Sequence, residues 1–268
     1  MSKRITKYVV IALAGIALGF GLCYLLMTKG AIPAPNVSST ETVSKSNKTE
    51  RLPATKRKKK SRINGIDVSH HQGYIDWKKV AVGNDLQFVY IKATEGDFFM
   101  DSEYENNSRE ARKNGLKVGA YLFFRMVSTP SSQFEYFKKV TAMSEMDLIP
   151  MIDVELNQNR NGYHIDHYYT NNTKQLRAMR ANIKKLVNLF EKEYGCKPMV
   201  YCSCNSYHSL IEGNVSDCPI YLGHYAERPG VRGYTIWQYS DNGYINGYSY
   251  NIDVCKFAKD KSVADILL

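Results

Sequence analysis

LIPMIDVEL, residues 148–156, reads as a buried strand that ends in two acids. Leu148, Ile149, Met151, Ile152 and Val154 make an apolar run of strand length, and Asp153 and Glu155 close it. Carboxylates at the exit of an apolar strand are costly unless they are paired or have chemical work. Side chains alternate across a strand that rises ~3.3 Å per residue, so Asp153 and Glu155 share a face with Cα atoms roughly 6.5–7 Å apart. Carboxyl pairs that cleave glycosidic bonds work in this range of separations. Like charges this close raise the pKa of one group, which lets it hold a proton while the other stays ionised. Two acids capping a strand against loop amides or cations would give the same local pattern, so the rest of the chain has to decide.

Outward from this strand the chain alternates short apolar runs with longer amphipathic ones. The pattern predicts strands at 63–69, 87–94, 118–125, 148–155, 198–204, 219–224, 235–239 and 251–254. It predicts helices at 103–114, 131–145 and 173–194, with shorter ones near 76–82 and 205–211. In the longest, Leu176, Met179, Ile183, Leu186, Val187, Phe190 and Tyr194 recur at three- and four-residue steps and form one apolar stripe. Strand-helix alternation with nearly continuous apolar strands implies an α/β parallel sheet covered on both faces, and eight strands imply closure. Only short connections, rich in Gly, separate the last three strands. A parallel crossover through a helix needs a dozen or more residues, so these strands should be joined by hairpin-like turns with at least one antiparallel. The expected fold is an incomplete TIM-like barrel, (β/α)5β3.

The residues with chemistry in them cluster at the C-terminal ends of the predicted strands. Asp67 ends the first, Glu95 follows the second, and Tyr121 and Arg125 belong to the third. Asp153 and Glu155 end the fourth, and Tyr201, His224 and Trp237-Gln238-Tyr239 end later ones. In a βα barrel that rim is where sites are built. Convergence of several sparse signals on one face raises Asp153 and Glu155 to candidate catalytic residues, with Glu95 and Tyr201 as candidate substrate contacts.

The net charge of +10 does not identify a nucleic-acid binder. Thirteen of the 36 basic residues and two of the 26 acidic ones fall in residues 1–62, which leaves residues 63–268 with a net charge of −1. The basic run at 56–60 has no interleaved aromatics and reads as a solvated linker in reach of anionic lipid or wall polymer. Tyr8 to Met27 is an uncharged stretch, preceded by Lys3, Arg4 and Lys7. At 1.5 Å per residue such a stretch crosses about 30 Å, a bilayer core. Residues 1–29 are therefore expected to be a signal anchor, a transmembrane helix with its N-terminus in the cytoplasm and the remainder outside. Cleavage near Ala31 or Ala34, giving a secreted protein, is the alternative. Residues 30–62, with Pro33, Pro35 and Pro53 among Ser, Thr and Lys, are too polar to fold and make a disordered basic tether. Residues 63–268 form the catalytic domain, expected to be a monomer.

Other signals are weak. Cys196, Cys202, Cys204, Cys218 and Cys255 form an odd set in the domain, compatible with one or two disulfides from the 196–204 region to Cys218 or Cys255, or with buried free thiols. His70 and His71 fit a solvated or hydrogen-bonded turn after the first strand, with a place for one of them near the groove as the alternative. No HExxH, GxSxG, GxGxxG or Walker pattern is present, so metal, serine-hydrolase and nucleotide chemistry have no support in the sequence.

Five segments in order, GIDVSHHQGYIDW (65–77), FVYIKATEG (88–96), GLKVGAYLFFR (115–125), MIDVE (151–155) and IWQYS (236–240), resemble the successive motifs of glycoside hydrolase family 25, the Chalaropsis-type lysozymes. The resemblance implies a muramidase that cuts the β-1,4 bond between N-acetylmuramic acid and N-acetylglucosamine in peptidoglycan glycan strands, without metal or organic cofactor. It implies that Glu155 is the general acid and that Asp153 steadies the acetamido group or the oxocarbenium charge. Asp67, and Asp253 in NIDV, match further active-site carboxylates, and Tyr121, Trp237, Gln238 and Tyr239 match groove residues. Where the family commonly has His after the third-strand Tyr, this chain has Leu122, which faces the opposite way from Tyr121 and should alter packing rather than chemistry. A non-catalytic peptidoglycan-binding module on the same fold is the alternative function.

Overall fold

A computed structural model describes residues 63–155 and 173–268. The expected anchor and tether over residues 1–62 lie outside the described residues. Among the described residues no helix is long and apolar enough to cross a membrane.

Nine strands are described: β1 (Gly65–Val68), β2 (Phe88–Glu95), β3 (Phe99–Met100), β4 (Lys117–Phe123), β5 (Met151–Val154), β6 (Met199–Ser203), β7 (Ile220–Gly223), β8 (Ile236–Gly243) and β9 (Ile252–Phe257). They pair in the order β1-β9-β8-β7-β6-β5-β4-β2, and β1 pairs with β2 to close an eight-stranded ring, with β3 folded onto β2. Neighbours are parallel from β1 through β2, β4, β5, β6 and β7 to β8. β9 alone in the ring is antiparallel, to both β8 and β1. Helices α1 (Trp77–Gly83), α2 (Tyr104–Lys113), α3 (Pro130–Thr141) and α4 (Thr173–Tyr194), then a helical turn at Cys204–Ser206 continuing into Tyr207–Ile211, follow the first five barrel strands. This is the anticipated five βα units and three further strands. One connection departs from expectation: β7 and β8 are parallel, although residues 224–235 between them contain no helix. Only β8 and β9 make the expected hairpin-like pair. The short β3 was not anticipated, since two residues carry no periodicity.

Alternation sorts the strand residues into two cores. Val118, Ala120, Leu122, Ile152, Val154, Val200, Cys202 and Leu222 pack outward against the helices, with Phe134, Phe137, Ile183, Leu186 and Phe190. Phe88, Tyr90, Tyr121, Met151, Met199, Tyr201, Tyr221, Ile236 and Cys255 fill the barrel. Leu122 therefore lies in the outer core while Tyr121 lies inside, as their adjacency requires. Helix α3 starts where Thr129 accepts a hydrogen bond from Ser132 N–H and Pro130 takes the first turn. Its Phe134 and Phe137 rings each lie 5.1 Å from Phe190 of α4. Burying each such side chain stabilises the fold by about 1.5–3 kcal/mol, an upper estimate. Inside the barrel, a Cβ at Gly119 would come within 2.4 Å of the Tyr90 ring, so a glycine on β4 makes room for that ring. The tail closes the bottom: Ile149 N–H donates to Ile266 O at 2.9 Å, and both side chains are buried. The five described cysteines are free thiols, in place of the expected disulfides.

Candidate active site

The parallel strands all end on one rim, and register places their last residues side by side. Asp67 of β1 stands opposite Tyr90 of β2, Tyr121 of β4 opposite Met151 of β5, and Asp153 opposite Tyr201 of β6. Asp67, Tyr121, Asp153, Glu155, Tyr201, Gln238 and Asp253 line one cleft of about 250 Å³, together with Lys92, His71 and Tyr225. Seven of the ten candidates are thus brought together.

The other three go elsewhere. Glu95 is held in a half-buried ion-pair network, accepting from Lys92 Nζ at 2.7 Å and from Arg125 Nε at 2.8 Å. Those cations outweigh the desolvation that would raise its pKa and hold Glu95 below the ordinary carboxylate range. Its contribution to the cleft passes through Lys92. Trp237 and Tyr239 flank Gln238, so when Gln238 points into the barrel they lie on the opposite side of β8. Trp237 Nε1 donates to His224 O at 2.7 Å, and Lys256 Nζ sits 4.4 Å from the Trp237 ring and 4.9 Å from that of Tyr239. The expectation that all three residues of the motif face the groove is corrected by the two-residue period of the strand.

Two carboxyl pairs occupy the cleft. In the first, Asp153 is 7% exposed, and its Oδ1 has no hydrogen-bond partner among the described residues. Burial raises the Asp153 pKa well above its ordinary value, the Glu155 charge raises it further, and Lys92 opposes the rise. In the second pair, Asp67 Oδ2 accepts from Tyr221 Oη at 2.6 Å and Gln238 Nε2 at 2.9 Å, while Asp67 also shares a hydrogen bond with Asp253. Burial lifts Asp67, and the donors around it pull the other way. Asp253 is pushed up to about 8, by burial first and then by the Asp67 charge, so the pair holds one proton between the two carboxyls. Gln238 is fixed in turn: its Oε1 accepts from Tyr201 Oη and Tyr225 Oη, both at 2.8 Å. Two acid pairs, in which Asp153 is buried and Asp67, Glu155 and Asp253 are half-buried, form an acid-base site.

Several of these residues were not read from the sequence. Lys92 interrupts an apolar strand on the face shared by Phe88 and Tyr90, a period-2 signal that could have flagged it. Tyr225 lies on a loop with no periodicity. His71 lines the cleft, while His70 Nδ1 lies 2.7 Å from Asp101 Oδ2 in the turn. Among the described residues no group of His, Cys, Asp and Glu side chains could hold a metal ion.

The chain is 32% identical over 198 residues to the uncharacterized protein YegX of Escherichia coli strain K12, covering 71% of this chain and 68% of that one. It is 30% identical over 199 residues to the autolytic lysozyme of Clostridium acetobutylicum, covering 74% of this chain and 56% of the relative. Among solved structures, a family 25 glycosyl hydrolase from Bacillus anthracis matches with a TM-score of 0.65 at 29% identity, over 74% of this chain and 90% of that chain. The pattern of glycosyl hydrolases family 25 matches residues 66–248, and the chain belongs to this family.

Proposed function

We propose that this chain is a lysozyme, an N-acetylmuramidase that hydrolyses the β-1,4 bond between N-acetylmuramic acid and N-acetylglucosamine in peptidoglycan. The observation that carries the reading is the cleft in which Asp153 and Glu155 stand together beside Asp67 and Asp253. The autolytic lysozyme among its relatives supports the same substrate class.

In the mechanism, Glu155 delivers a proton to the oxygen of the leaving sugar. Asp153 stabilises positive charge at the anomeric centre or orients the N-acetyl group for internal attack. In the free protein the more deeply buried Asp153 competes for the proton of the pair. Among the described residues its Oδ1 is an acceptor without a donor, and an acetamide N–H of the substrate offers one. That hydrogen bond favours the ionised form of Asp153 and moves the proton to Glu155, so substrate binding sets the protonation state the reaction needs.

A non-catalytic role finds no support in Leu122, where the family commonly has His, because Leu122 packs in the outer core away from the cleft. The sequence of residues 8–27 and 30–62 supports a membrane anchor and a tether that hold the enzyme on the extracytoplasmic side. The test of activity is release of reducing ends from purified peptidoglycan, with Glu155→Gln as the control. Glu155→Gln should lower kcat by about 10²–10⁴ and leave binding nearly intact. No release by the wild-type chain would overturn the enzymatic reading.

A further inference from the structure

A second cleft of about 700 Å³ adjoins the catalytic one and falls in the size range of binding sites for organic ligands. Gln72 lines both, so the two clefts meet at this residue. Its outer walls carry three tyrosines that no packing explains: Tyr74 is 86% exposed, Tyr244 74% and Tyr250 73%. Clustered exposed aromatics are a cost that a folded domain bears where something covers them. Tyr250 is braced edge-on by Tyr248, with centroids 5.8 Å apart.

The walls are fixed in advance. Asp76 N–H donates to Gly247 O at 3.0 Å, and Asn84 bonds both the N–H and the C=O of Asn246, each at 3.0 Å. Gly247 has φ 99°, and a Cβ there would come within 2.7 Å of Asp76 O, so the close apposition of the β8–β9 turn and the α1 entry requires glycine. On the catalytic side, Ser69 N–H holds Gln72 Oε1 at 2.7 Å. A site with little left to order on binding retains more of its contact energy.

The charges on the wall belong to Asp76 and Lys79, and they pair with each other at 2.9 Å. A charged peptide would find no uncompensated partner, whereas a neutral N-acetylhexosamine ring would find flat phenol faces with hydroxyls at their edges. We propose that this cleft is a distal glycan-binding site, taking sugar units of the same strand that lies across the catalytic cleft, with Tyr74 and Tyr250 as the stacking faces. The proposal rests on the muramidase reading for its biological substrate but not for its test.

The test compares the full-length wild-type chain with the double variants Tyr74→Ala/Tyr250→Ala and Tyr74→Phe/Tyr250→Phe. Chitohexaose, a peptide-free chain of N-acetylglucosamine, is the probe for equilibrium binding, and polymeric peptidoglycan is the substrate for kinetics. The alanine variant should weaken chitohexaose binding and raise KM by roughly tenfold with kcat unchanged, and the phenylalanine variant, which keeps both rings, should stay within about twofold of wild type. Chitohexaose binding by the alanine variant equal to wild type would overturn the proposal, as would a fall in kcat at constant KM. Displacement of chitohexaose by a free wall stem peptide, with loss of that competition in the alanine variant, would make the cleft a peptide site instead. If wild type releases no reducing ends while tyrosine-dependent binding persists, the muramidase reading fails and the glycan site stands.

Discussion

The Tyr221 hydroxyl on β7 donates a 2.6 Å hydrogen bond to Asp67 Oδ2 on β1, across the barrel mouth with β8 and β9 between the two strands. Tyr221 is fully buried, and Gln238 of β8 reaches the same oxygen at 2.9 Å. The antiparallel end of the barrel, where no helix covers the connections, is thus joined through one carboxylate oxygen. Tyr221→Phe removes one donor and leaves a buried acceptor short of a partner. It should cost about 1–3 kcal/mol of stability, seen as a lower denaturant midpoint with an unchanged slope. An unaltered midpoint would mean that the phenol contributes nothing to the network.

The buried carboxyls give stability a definite pH dependence. Asp253, pushed up to about 8 from 3.8, binds its proton more tightly in the folded state than in the unfolded one. A pKa raised on folding makes ν_N exceed ν_U, so its contribution is fully present below pH 3.8 and is lost as pH rises towards about 8. Asp67 and Asp153, also raised, act with the same sign. Glu95, lowered from 4.5, contributes in the opposite sense only near and below that value. Between about pH 5 and pH 8 the melting temperature should therefore fall, and Asp253→Asn should flatten the fall. A wild-type melting temperature that rises over this range would contradict the raised pKa of these carboxyls. Asp67→Asn removes the neighbouring charge that helps raise Asp253, so it should shift the pH–rate profile and lower turnover while the chain still folds.

Lys92 is the buried cation between the Glu95 network and the acid pair, 5% exposed, and its charge opposes the rise of the Asp153 pKa. Lys92→Met keeps the stem and removes the charge. Asp153 should then hold its proton to still higher pH, so the ionised Asp153 that the mechanism uses becomes scarcer and kcat falls near neutral pH, recovering in part as pH rises. The pH–rate profile of the variant reads this directly; a uniform fall without a shift would assign Lys92 a purely structural part.

The barrel was legible in the sequence because its nearly continuous apolar strands and its period-3.6 helices alternate in segments long enough to show. The 173–194 helix is observed over the same residues. What stayed hidden has physical reasons. The parallel β7–β8 pair joined without a helix is set by ring closure, which no local pattern encodes. IWQYS gave three candidates where alternation around Gln238 admits one, because motif resemblance carries no facing. Asp67 and Asp253, nearly two hundred residues apart in the chain, meet because β9 pairs with β1, and that contact is visible only in three dimensions.

The N-terminal anchor has its own measurement. If residues 8–27 cross the membrane, the full-length chain should fractionate with membranes and leave them only with detergent, while its barrel should be open to protease added from outside the cytoplasm. A soluble mature protein whose N-terminus maps beyond residue 30 would replace the anchor with a cleaved signal peptide.

Asp153 and Glu155 should separate by role when the substrate is changed. Both sit in the cleft, but Asp153 carries the Oδ1 that is partnerless among the described residues and suited to an acetamide N–H, and Glu155 lies one step beyond the strand end. With acetylated peptidoglycan, Glu155→Gln and Asp153→Asn should both be severely impaired, each losing on the order of 10²-fold or more in kcat. With glycan lacking the N-acetyl group on the cleaved muramic residue, wild-type turnover should drop, because the acetamide that Asp153 orients for internal attack is gone. On that glycan Asp153→Asn should cost much less than before, while Glu155→Gln should cost as much, since protonation of the leaving oxygen is needed whatever the substituent. Equal sensitivity of both variants to deacetylation would remove the acetamide from the duty of Asp153 and leave charge stabilisation at the anomeric centre as its role.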